Sequence, residues 1–406
     1  MTRSEQSNLA ESHVGVRLGS VASIPILHVQ GDDYSRGFQR GRLIADIIAR
    51  RVDELIGHSE HSMGRDALAS TATRFENALR LGLPSALDEL HGLSEGAGIP
   101  WRTYRLAVLG TGGGSAIQDE CSVVGVTQYA TSDGRTIVAK NGDLNLQTMS
   151  PDDVIIVHAR PDDGYEYLEM GILPEGLRRP DGMNEAGLAL VGCGQRPADG
   201  ERAYSEGWSV GVPVYDMYHE IYSRCATVYD ALSVLERHPR GYTGRTMIIA
   251  DAQHHMVKVE ISYDSMVVFH LERQRTYAQN FVMAGVSGTF SDRAMAELVT
   301  GISERPSAYV RYDRYMNLLF SSHGDLDLRK VQDILRDHEP EPGGSSICKH
   351  EDGPTLESFI FEPDSLEAWA LLGHPCEHEY ARVNCLVDSQ ECFSSGDNAV
   401  TTRGDS

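Results

Sequence analysis

Apolar residues in the first part of the chain recur at the spacing of an α-helix. The first helical segment carries them at Leu43, Ile44, Ile47, Ile48, Val52 and Ile56, which places them along one helix face. A second helical stretch is predicted from about residue 66 to residue 93. Pro84 falls inside it and is expected to break or kink the helix, because proline has no backbone N–H to donate. The pattern predicts that residues 1–120 are mostly helical.

Beyond residue 120 the pattern changes to short apolar runs separated by turn residues. Runs bounded by Asp-Gly or Asn-Glu-Ala-Gly sequences are typical of strands in an antiparallel sheet. The predicted strands cover residues 24–29, 122–127, 136–139, 154–157, 165–168, 188–191, 246–250, 256–261 and 266–270, and the later helices cover residues 214–222, 227–236, 307–320 and 328–336. Grouped strands, then helices, then further strands predict a layered α+β body.

Composition and charge narrow the function classes. The chain has 406 residues, of which 41% are hydrophobic and 23% are charged, as in an ordinary globular protein. Its net charge of −23 disfavours nucleic acid and anionic membrane surfaces as partners, because both are negatively charged. No apolar run approaches the ~20 residues of a membrane span, and the polar start lacks the apolar core of a signal peptide.

The cysteines indicate a reducing compartment. They are odd in number and scattered, at positions 121, 193, 225, 348, 376, 385 and 392, unlike the dense disulfide frameworks of small secreted domains. We therefore expect free thiols and a cytoplasmic protein. The tail over residues 390–406 is polar and rich in Ser, Asp and Gly, and it is expected to be disordered.

Cys121 lies where a glycine-rich, acidic loop gives way to an apolar strand. A thiol has a pKa of about 8.5 and usually needs a base to act as a nucleophile at neutral pH. If the bond between Glu120 and Cys121 breaks, the freed α-amine, with a pKa of about 7.7–8, can be that base. The position predicts an enzyme that cleavage activates. The alternative is a buried structural cysteine that opens a core strand.

Asp143 is the acid expected near Cys121. The Asp133-Gly134 pair predicts a hairpin that returns the chain towards the start of the strand. An ideal two-residue turn would place Asp143 opposite Val124, about 10 Å along the strand and on the face away from the Cys121 side chain. A longer turn, a β-bulge or strand-end twist must close that gap. The alternative is an acid that simply ends a strand in a turn.

Several short motifs occur together in a specific order. They are Gly31-Asp32-Asp33-Tyr34-Ser35-Arg36-Gly37, Cys121-Ser122, Asn141-Gly142-Asp143, Gly182-Met183-Asn184-Glu185-Ala186-Gly187-Leu188, Gln279-Asn280-Phe281, Asp337-His338 and Ser346-Ile347-Cys348-Lys349-His350. In this order the motifs resemble the self-processing N-terminal-nucleophile (Ntn) hydrolases that include the acyl-coenzyme A:6-aminopenicillanic acid acyltransferases. The likeness covers most of residues 25–385.

The resemblance implies a four-layer αββα sandwich and a set of site residues. Residues 1–120 would form a mostly helical segment and residues 121–389 the catalytic body, and the two would stay associated after self-cleavage. Cys121 would both cleave the peptide bond that precedes it and act as the nucleophile towards the substrate. Asp143 would orient the new α-amine, Asn280 would donate a hydrogen bond to the oxyanion, and Arg311, with Arg314 as its rival, would complete the site.

The chain departs from the family pattern at two places. Glu120 and Ser122 flank Cys121, whereas the penicillin acyltransferase has a sequence similar to Gly-Cys-Thr at the cleavage site. A bulkier acidic residue before the cleaved bond is expected to slow processing. Asn141-Gly142-Asp143 stands where that enzyme has Asn-Trp-Asp, and the missing tryptophan is expected to open the acyl pocket. Substrate identity therefore does not follow from the resemblance.

Other histidines and cysteines are assigned to packing. The segment His374-Pro375-Cys376-Glu377-His378 holds metal-capable side chains close together but lacks the paired spacing of a structural zinc site, so no metal is predicted. His338 and His350 are explained by helix capping or loop packing. Cys348 is expected in the core, because it lacks the loop-to-strand setting of Cys121.

These observations favour a cysteine amidohydrolase or acyltransferase that acts on a small amide through a thioester acyl-enzyme at Cys121. The mechanism needs no metal or redox cofactor, and a coenzyme A thioester would be a co-substrate if transfer dominates. Two alternatives stay open: an unprocessed hydrolase that pairs Cys121 with His338 or His350, and a catalytically silent binding protein on the same scaffold.

Overall fold

Two strands and a run of helices form the first part of the chain. The computed structural model describes residues 17–21, 23–110, 121–143, 150–172, 181–195, 211–240, 244–263, 265–270, 281–287, 306–339, 345–351 and 353–388. The first elements are β1 (Arg17–Val21), β2 (Ile24–Gly31), α1 (Asp33–Leu43), α2 (Ala45–Met63), α3 (Arg65–Gly82), α4 (Pro84–Gly96) and α5 (Trp101–Gly110). Pro84 is the first residue of α4, where a missing N–H costs nothing. It therefore separates two helices rather than kinking one.

Strands dominate the chain after Cys121. They are β3 (Ser122–Gln128), β4 (Gly134–Asp143), β5 (Val154–Pro161), β6 (Tyr167–Ile172), β7 (Asp181–Asn184), β8 (Ala189–Gln195), β9 (Gly244–Ala250), β10 (Met256–Ile261), β11 (Met266–His270), β12 (Val282–Val286), β13 (Thr355–Glu362), β14 (Glu367–Leu372) and β15 (Ala381–Val383). The helices among them are α6 (Val214–Arg224), α7 (Val228–Arg237), α8 (Pro306–Ser321) and α9 (Leu328–Leu335). The four later helices that the sequence predicts are confirmed within one or two residues.

The strands form two sheets. The nine-stranded sheet has the order β1-β2-β5-β6-β7-β8-β9-β10-β11, and the six-stranded sheet has the order β12-β3-β4-β13-β14-β15. β2 and β5 run parallel, whereas β3 pairs antiparallel with both β4 and β12. Cys121 thus precedes a central strand of the smaller sheet.

Three apolar cores separate four layers. One core lies between the helices of the first part of the chain, together with α6 and α7, and the outer face of the nine-stranded sheet. The second lies between the two sheets and includes Val123, Ile156 and Phe359. The third lies between the six-stranded sheet and the helices α8 and α9. The predicted α+β fold, a four-layer αββα sandwich, is confirmed.

No helix in the described parts of the chain is long and apolar enough to cross a bilayer.

Candidate active site

Cys121 lies directly before β3 with its side chain buried. Its exposed fraction is 2%, and it belongs with Val123 to the core between the two sheets. Its backbone carbonyl accepts a hydrogen bond from the backbone N–H of Ser287, directly after β12, over 2.9 Å. Glu120, the residue expected before the cut, lies outside the described residues. The thiol is therefore held between the sheets at the beginning of its strand.

The pairing of β3 with β4 brings Asp143 next to Cys121. Ser122 pairs with Asn141, so Cys121 and Asp143 lie one and two residues further towards the same end of the sheet. The register of an ideal two-residue turn, which would place Asp143 opposite Val124, does not occur. The connection between the strands is longer than two residues, and a β-bulge interrupts the ladder near the turn. This is the adjustment that the sequence analysis required.

Asp143 and the Cys121 side chain face different layers. Alternate residues of β4 point to opposite faces, and the side-chain amide of Asn141 donates to the backbone carbonyls of Leu335 and Ile347 on the helical side of the sheet. Asp143 shares that face, whereas Cys121 lies in the inter-sheet core. The carboxylate therefore adjoins the strand end and the backbone of Cys121 rather than its thiol.

Asp143 is fully buried and is held by two donors. Its Oδ2 accepts a hydrogen bond from Nη1 of Arg311 on α8 over 2.5 Å, and its Oδ1 accepts one from the hydroxyl of Thr355 over 2.6 Å. Burial raises the pKa of the Asp143 carboxyl, and the charges of Arg311 and Lys349 work against that rise. Arg311 and the hydroxyl of Thr355 thus fix the position of this buried carboxyl.

The two arginines that the sequence left open have different partners. Arg311 is 1% exposed and contacts Asp143. Arg314 lies one helical turn away and donates to both carboxylate oxygens of Asp337, over 2.9 and 2.7 Å. Its side chain is 26% exposed. Of the pair, Arg311 is the arginine that the fold brings to the Cys121 end of the sheet.

The predicted oxyanion donor, Asn280, lies outside the described residues. Its neighbour Phe281 accepts a backbone hydrogen bond from Thr127 over 3.0 Å, at the end of β3 opposite to Cys121. Thr127 and Cys121 are about 20 Å apart along an extended strand at ~3.4 Å per residue. Ser287, which sequence reasoning did not single out, is the residue at this end of β12 that contacts Cys121. Its exposed fraction is 6%.

A glutamate side chain lies beside Gly142, the position at which the family enzyme has a tryptophan. A Cβ atom added to Gly142 would lie 2.4 Å from Cγ and 2.5 Å from Oε1 of Glu357 on β13. Glu357 pairs with Gly142 in the ladder and is buried, at 1% exposure. The missing tryptophan therefore leaves no open space beside Gly142, and the more open acyl pocket stays a prediction. The space is filled by an acidic side chain, which the sequence motif gave no means of finding.

A buried ion pair joins the two sheets near Cys193. Nζ of Lys140 on β4 donates to Oδ2 of Asp181 on β7 over 2.6 Å, and Oδ1 of Asp181 accepts from the backbone N–H of Gly192 over 2.9 Å. Burial raises the pKa of the Cys193 thiol to about 12. Cys193 is therefore protonated at neutral pH. Sequence patterning missed the pair because its members lie on different sheets.

His338 and His350, the partners in the Cys/His alternative, lie in a different cluster. Their Nε2 atoms are 3.1 Å apart, and Nε2 of His350 is 3.3 Å from Sγ of Cys376. Cys348 is buried, as expected. The two histidines thus contact each other, and His350 also contacts the thiols of this cluster.

Distant relatives of known structure or sequence share part of this chain. Protein dcd1B of Dictyostelium discoideum is 23% identical over 274 residues, which cover 61% of this chain and 52% of the relative. The chain thus spans about half the length of that curated relative. A variant of the conjugated bile acid hydrolase from Clostridium perfringens is 14% identical, with 65% of this chain and 93% of the other covered and a TM-score of 0.45. The penicillin V acylase from Agrobacterium tumefaciens is 16% identical, with 62% and 82% covered and a TM-score of 0.39.

A family model settles the resemblance inferred from the motifs. The model of acyl-coenzyme A:6-aminopenicillanic acid acyl-transferase matches residues 130–377, which is more than half of the chain. The match includes β4 with Asp143 and α8 with Arg311. The chain therefore belongs to the acyl-coenzyme A:6-aminopenicillanic acid acyl-transferase family.

Proposed function

We propose that the protein is a self-activated cysteine amidohydrolase or acyltransferase that acts on a small amide. The observation that carries the proposal is the position of Cys121. It is a buried thiol at the beginning of a central strand, beside the end of β4 where Asp143 is held by Arg311. Within an acyltransferase family, a thiol between the sheets and a fixed carboxyl beside its backbone fit a nucleophile that carries its own base.

Cleavage after Glu120 would create that base. As an internal residue Cys121 has only an amide nitrogen, whereas as a first residue it has an amine with a pKa of about 7.7–8. Asp143 lies on the face away from the thiol and next to the strand end, so we assign it to the amine rather than to the sulfur. Arg311 and Thr355 would then keep the carboxyl aimed at the amine.

The α-amine of Cys121 is the proton carrier in the proposed reaction. The α-amine of Cys121 takes the thiol proton as sulfur attacks the amide carbonyl, and the proton passes to the leaving amine as the C–N bond breaks. A thioester acyl-enzyme results. Water or a second amine then attacks the thioester, and as the C–S bond breaks a proton of that acceptor passes through the α-amine to sulfur. Water as the acceptor gives hydrolysis, and an amine as the acceptor gives acyl transfer. In acyl transfer, a coenzyme A thioester would replace the amide as the acyl donor.

The oxyanion formed during attack needs hydrogen-bond donors. Asn280 is the side-chain donor that the family resemblance predicts, and one such donor contributes about 10²–10³ in rate, although its neighbour Phe281 lies at the end of β3 opposite to Cys121. Ser287 is a second candidate, because its backbone touches Cys121 and its hydroxyl is buried at the same end of β12. Substitution of Asn280 and substitution of Ser287 therefore have different expected effects on the rate of acylation.

The two fragments left by cleavage would stay together. β2 of the first fragment pairs in parallel with β5 of the second. Arg40 reaches Glu169 across the same boundary, with 3.4 Å between Nη1 and Oε2, and Nε2 of His219 lies 2.9 Å from Oδ1 of Asp33. These contacts bury strand edges and charges that separation would expose, so association is strongly favoured.

The Cys/His alternative receives less support from the arrangement of the side chains. His338 and His350 contact one another, and His350 also contacts the thiols of Cys348 and Cys376. The silent-scaffold alternative would keep the same fold without chemistry. An acylation experiment separates these possibilities.

The test is covalent labelling with a small thioester or activated amide that acylates nucleophilic thiols, followed by peptide mapping. We expect one acyl group on Cys121, with its loss in Cys121→Ala and its retention in Cys225→Ala. Cys225 is a matched control, because it is buried directly after α6 and away from this site. Labelling of the intact, uncut chain at Cys121 would support the Cys/His alternative, and a cut chain that cannot be acylated would support the silent scaffold.

A further inference from the structure

We propose that His338, Cys348, His350 and Cys376 form a structural zinc site. The side chains offer two imidazole nitrogens and two sulfurs, and these four atoms all lie within 4.8 Å of one another. No metal was predicted from the sequence, because residues 374–378 alone lack the ligand spacing of a structural zinc site. The fold instead collects the four ligands from three separate segments.

The distances from Nε2 of His350 to three other ligand atoms are close to the edge lengths of a zinc tetrahedron. The two histidine Nε2 atoms are 3.1 Å apart, and the Sγ atoms of Cys376 and Cys348 lie 3.3 Å and 3.9 Å from Nε2 of His350. Tetrahedral zinc with Zn–N bonds of about 2.0–2.1 Å and Zn–S bonds of about 2.3 Å places neighbouring ligand atoms about 3.3–3.8 Å apart. The three distances from Nε2 of His350 are therefore close to those of a zinc site, and no two of the four ligand atoms are more than 4.8 Å apart.

The chemistry of the ligand set selects zinc. Two thiolates and two neutral imidazoles form a Cys₂His₂ set, which is a closed four-coordinate structural site. The two thiolates balance the charge of Zn²⁺, and soft sulfur ligands disfavour magnesium and calcium. His338, His350 and Cys376 are partly exposed, so an ion can reach the site from solvent.

The site would clamp a loop that supports Asp143. The segment over residues 346–350 places Cys348 and His350 in the cluster. Between them, Lys349 donates its backbone N–H to the hydroxyl of Thr355 over 3.0 Å, and that hydroxyl donates to Asp143 over 2.6 Å. A metal bound to Cys348 and His350 would therefore fix the loop that positions the Asp143 carboxyl.

Backbone contacts already draw the three segments together. The backbone N–H of Cys348 donates to the carbonyl of Asp337 over 3.0 Å, which places the loop next to His338. Nε of Arg336 donates to the carbonyl of Pro375 over 2.8 Å, which places the segment after β14 next to α9. The ligands thus come from segments that the fold holds in contact, and zinc would add a cross-link between them.

The test is metal analysis of the full-length protein by mass spectrometry, after loading with zinc and exhaustive dialysis against metal-free buffer. We expect about one tightly held zinc per chain. Cys376→Ser and His338→Gln should each lower the retained zinc at least about tenfold at limiting free zinc. Cys225→Ser should retain the metal, because Cys225 is a free cysteine remote from the cluster in sequence and lies at the end of α6.

A second readout uses the unaltered chain, so that it does not depend on variants that fold. Replacement of zinc by Co²⁺ should produce the visible absorption bands of a tetrahedral ion and the near-ultraviolet band of thiolate-to-cobalt charge transfer. A wild-type chain that retains no zinc and shows no thiolate–cobalt band overturns the proposal. A disulfide between Cys348 and Cys376 in protein purified under reducing conditions also overturns it, as does equal metal content in the wild type and both ligand variants.

Discussion

Arg311 on α8 donates a hydrogen bond to Oδ2 of Asp143 at the end of β4, and neither side chain is more than 1% exposed. The pair joins the outer helical layer to the strand beside Cys121. A buried ion pair is costly to break from one side, because the remaining charge is left in a medium of low polarity. The position of Asp143 and the stability of this corner of the fold therefore depend on the same contact.

Loss of Arg311 should impair both folding and activation. Arg311→Met leaves the Asp143 carboxyl without its nearest cation, and we expect a loss of about 3–5 kcal/mol in the free energy of unfolding together with loss of self-cleavage. The matched control is Arg314→Met on the same helix. Arg314 is partly exposed and bound to Asp337, so its loss should cost at most about 1 kcal/mol. Urea denaturation and gel analysis of cleavage measure both effects, and equal costs for the two variants would contradict the assignment.

A side chain at Gly142 should collide with Glu357. Gly142→Ala places its Cβ atom against Cγ and Oε1 of Glu357, and overpacking of this kind costs about 1–3 kcal/mol. Glu357→Ala removes the colliding atoms, so the alanine at position 142 should cost markedly less in that background. A double-mutant cycle measured by urea denaturation tests this coupling. Strict additivity of the two substitutions would show that Glu357 does not fill the space.

The oxyanion donor is distinguished by two substitutions. Asn280→Ala should lower the rate of acyl-enzyme formation about 10²–10³-fold if its amide donates to the oxyanion. Ser287→Ala removes only the hydroxyl and preserves the backbone N–H that donates to Cys121. Pre-steady-state kinetics on the cut protein separates chemistry from binding. A large decrease in rate for Ser287→Ala with none for Asn280→Ala would assign the role of oxyanion donor to Ser287, directly after β12.

Thiol reactivity should differ sharply between Cys121 and Cys193. Burial raises the pKa of Cys193 to about 12, so its thiol stays protonated and unreactive between about pH 6 and about pH 9. In the unfolded chain this thiol ionises near pH 8.5, so its contribution to stability is complete below that pH and is lost as the pH rises towards about 12. Alkylation with mass-spectrometric mapping should modify Cys121 in the folded, cut protein and leave Cys193 intact. Preferential labelling of Cys193 would contradict the account.

The sequence predicts much of the fold because its patterns are local. The helices α3 and α4 and the strands β10 and β11 follow apolar spacing that a single segment displays. The strands β1, β7 and β12 to β15 were missed. β7 is only four residues long and runs directly into the Asn-Glu-Ala-Gly turn, and β15 is only three residues long. Such strands are defined by their neighbours in the sheet rather than by their own periodicity.

The site shows the same division between local and distant information. Cys121 and Asp143 are joined by a hairpin, so their proximity follows from the chain between them, although the register required the longer turn. Glu357, Thr355 and the ligands of the proposed zinc site come from segments more than 200 residues away from Cys121. The pairing of β4 with β13 and the hydrogen bonds from Asn141 to Leu335 and Ile347 bring those segments to Asp143, and no motif encodes these contacts.

The central claim is that Cys121 becomes an N-terminal residue. The direct measurement is intact-mass analysis with N-terminal sequencing of the purified wild type and of Cys121→Ala. We predict two fragments in the wild type, with the larger one beginning at Cys121, and a single full-length chain in the variant. An active wild-type protein that consists of one uncut chain, or a Cys121→Ala variant that is still cut at this bond, would contradict the account.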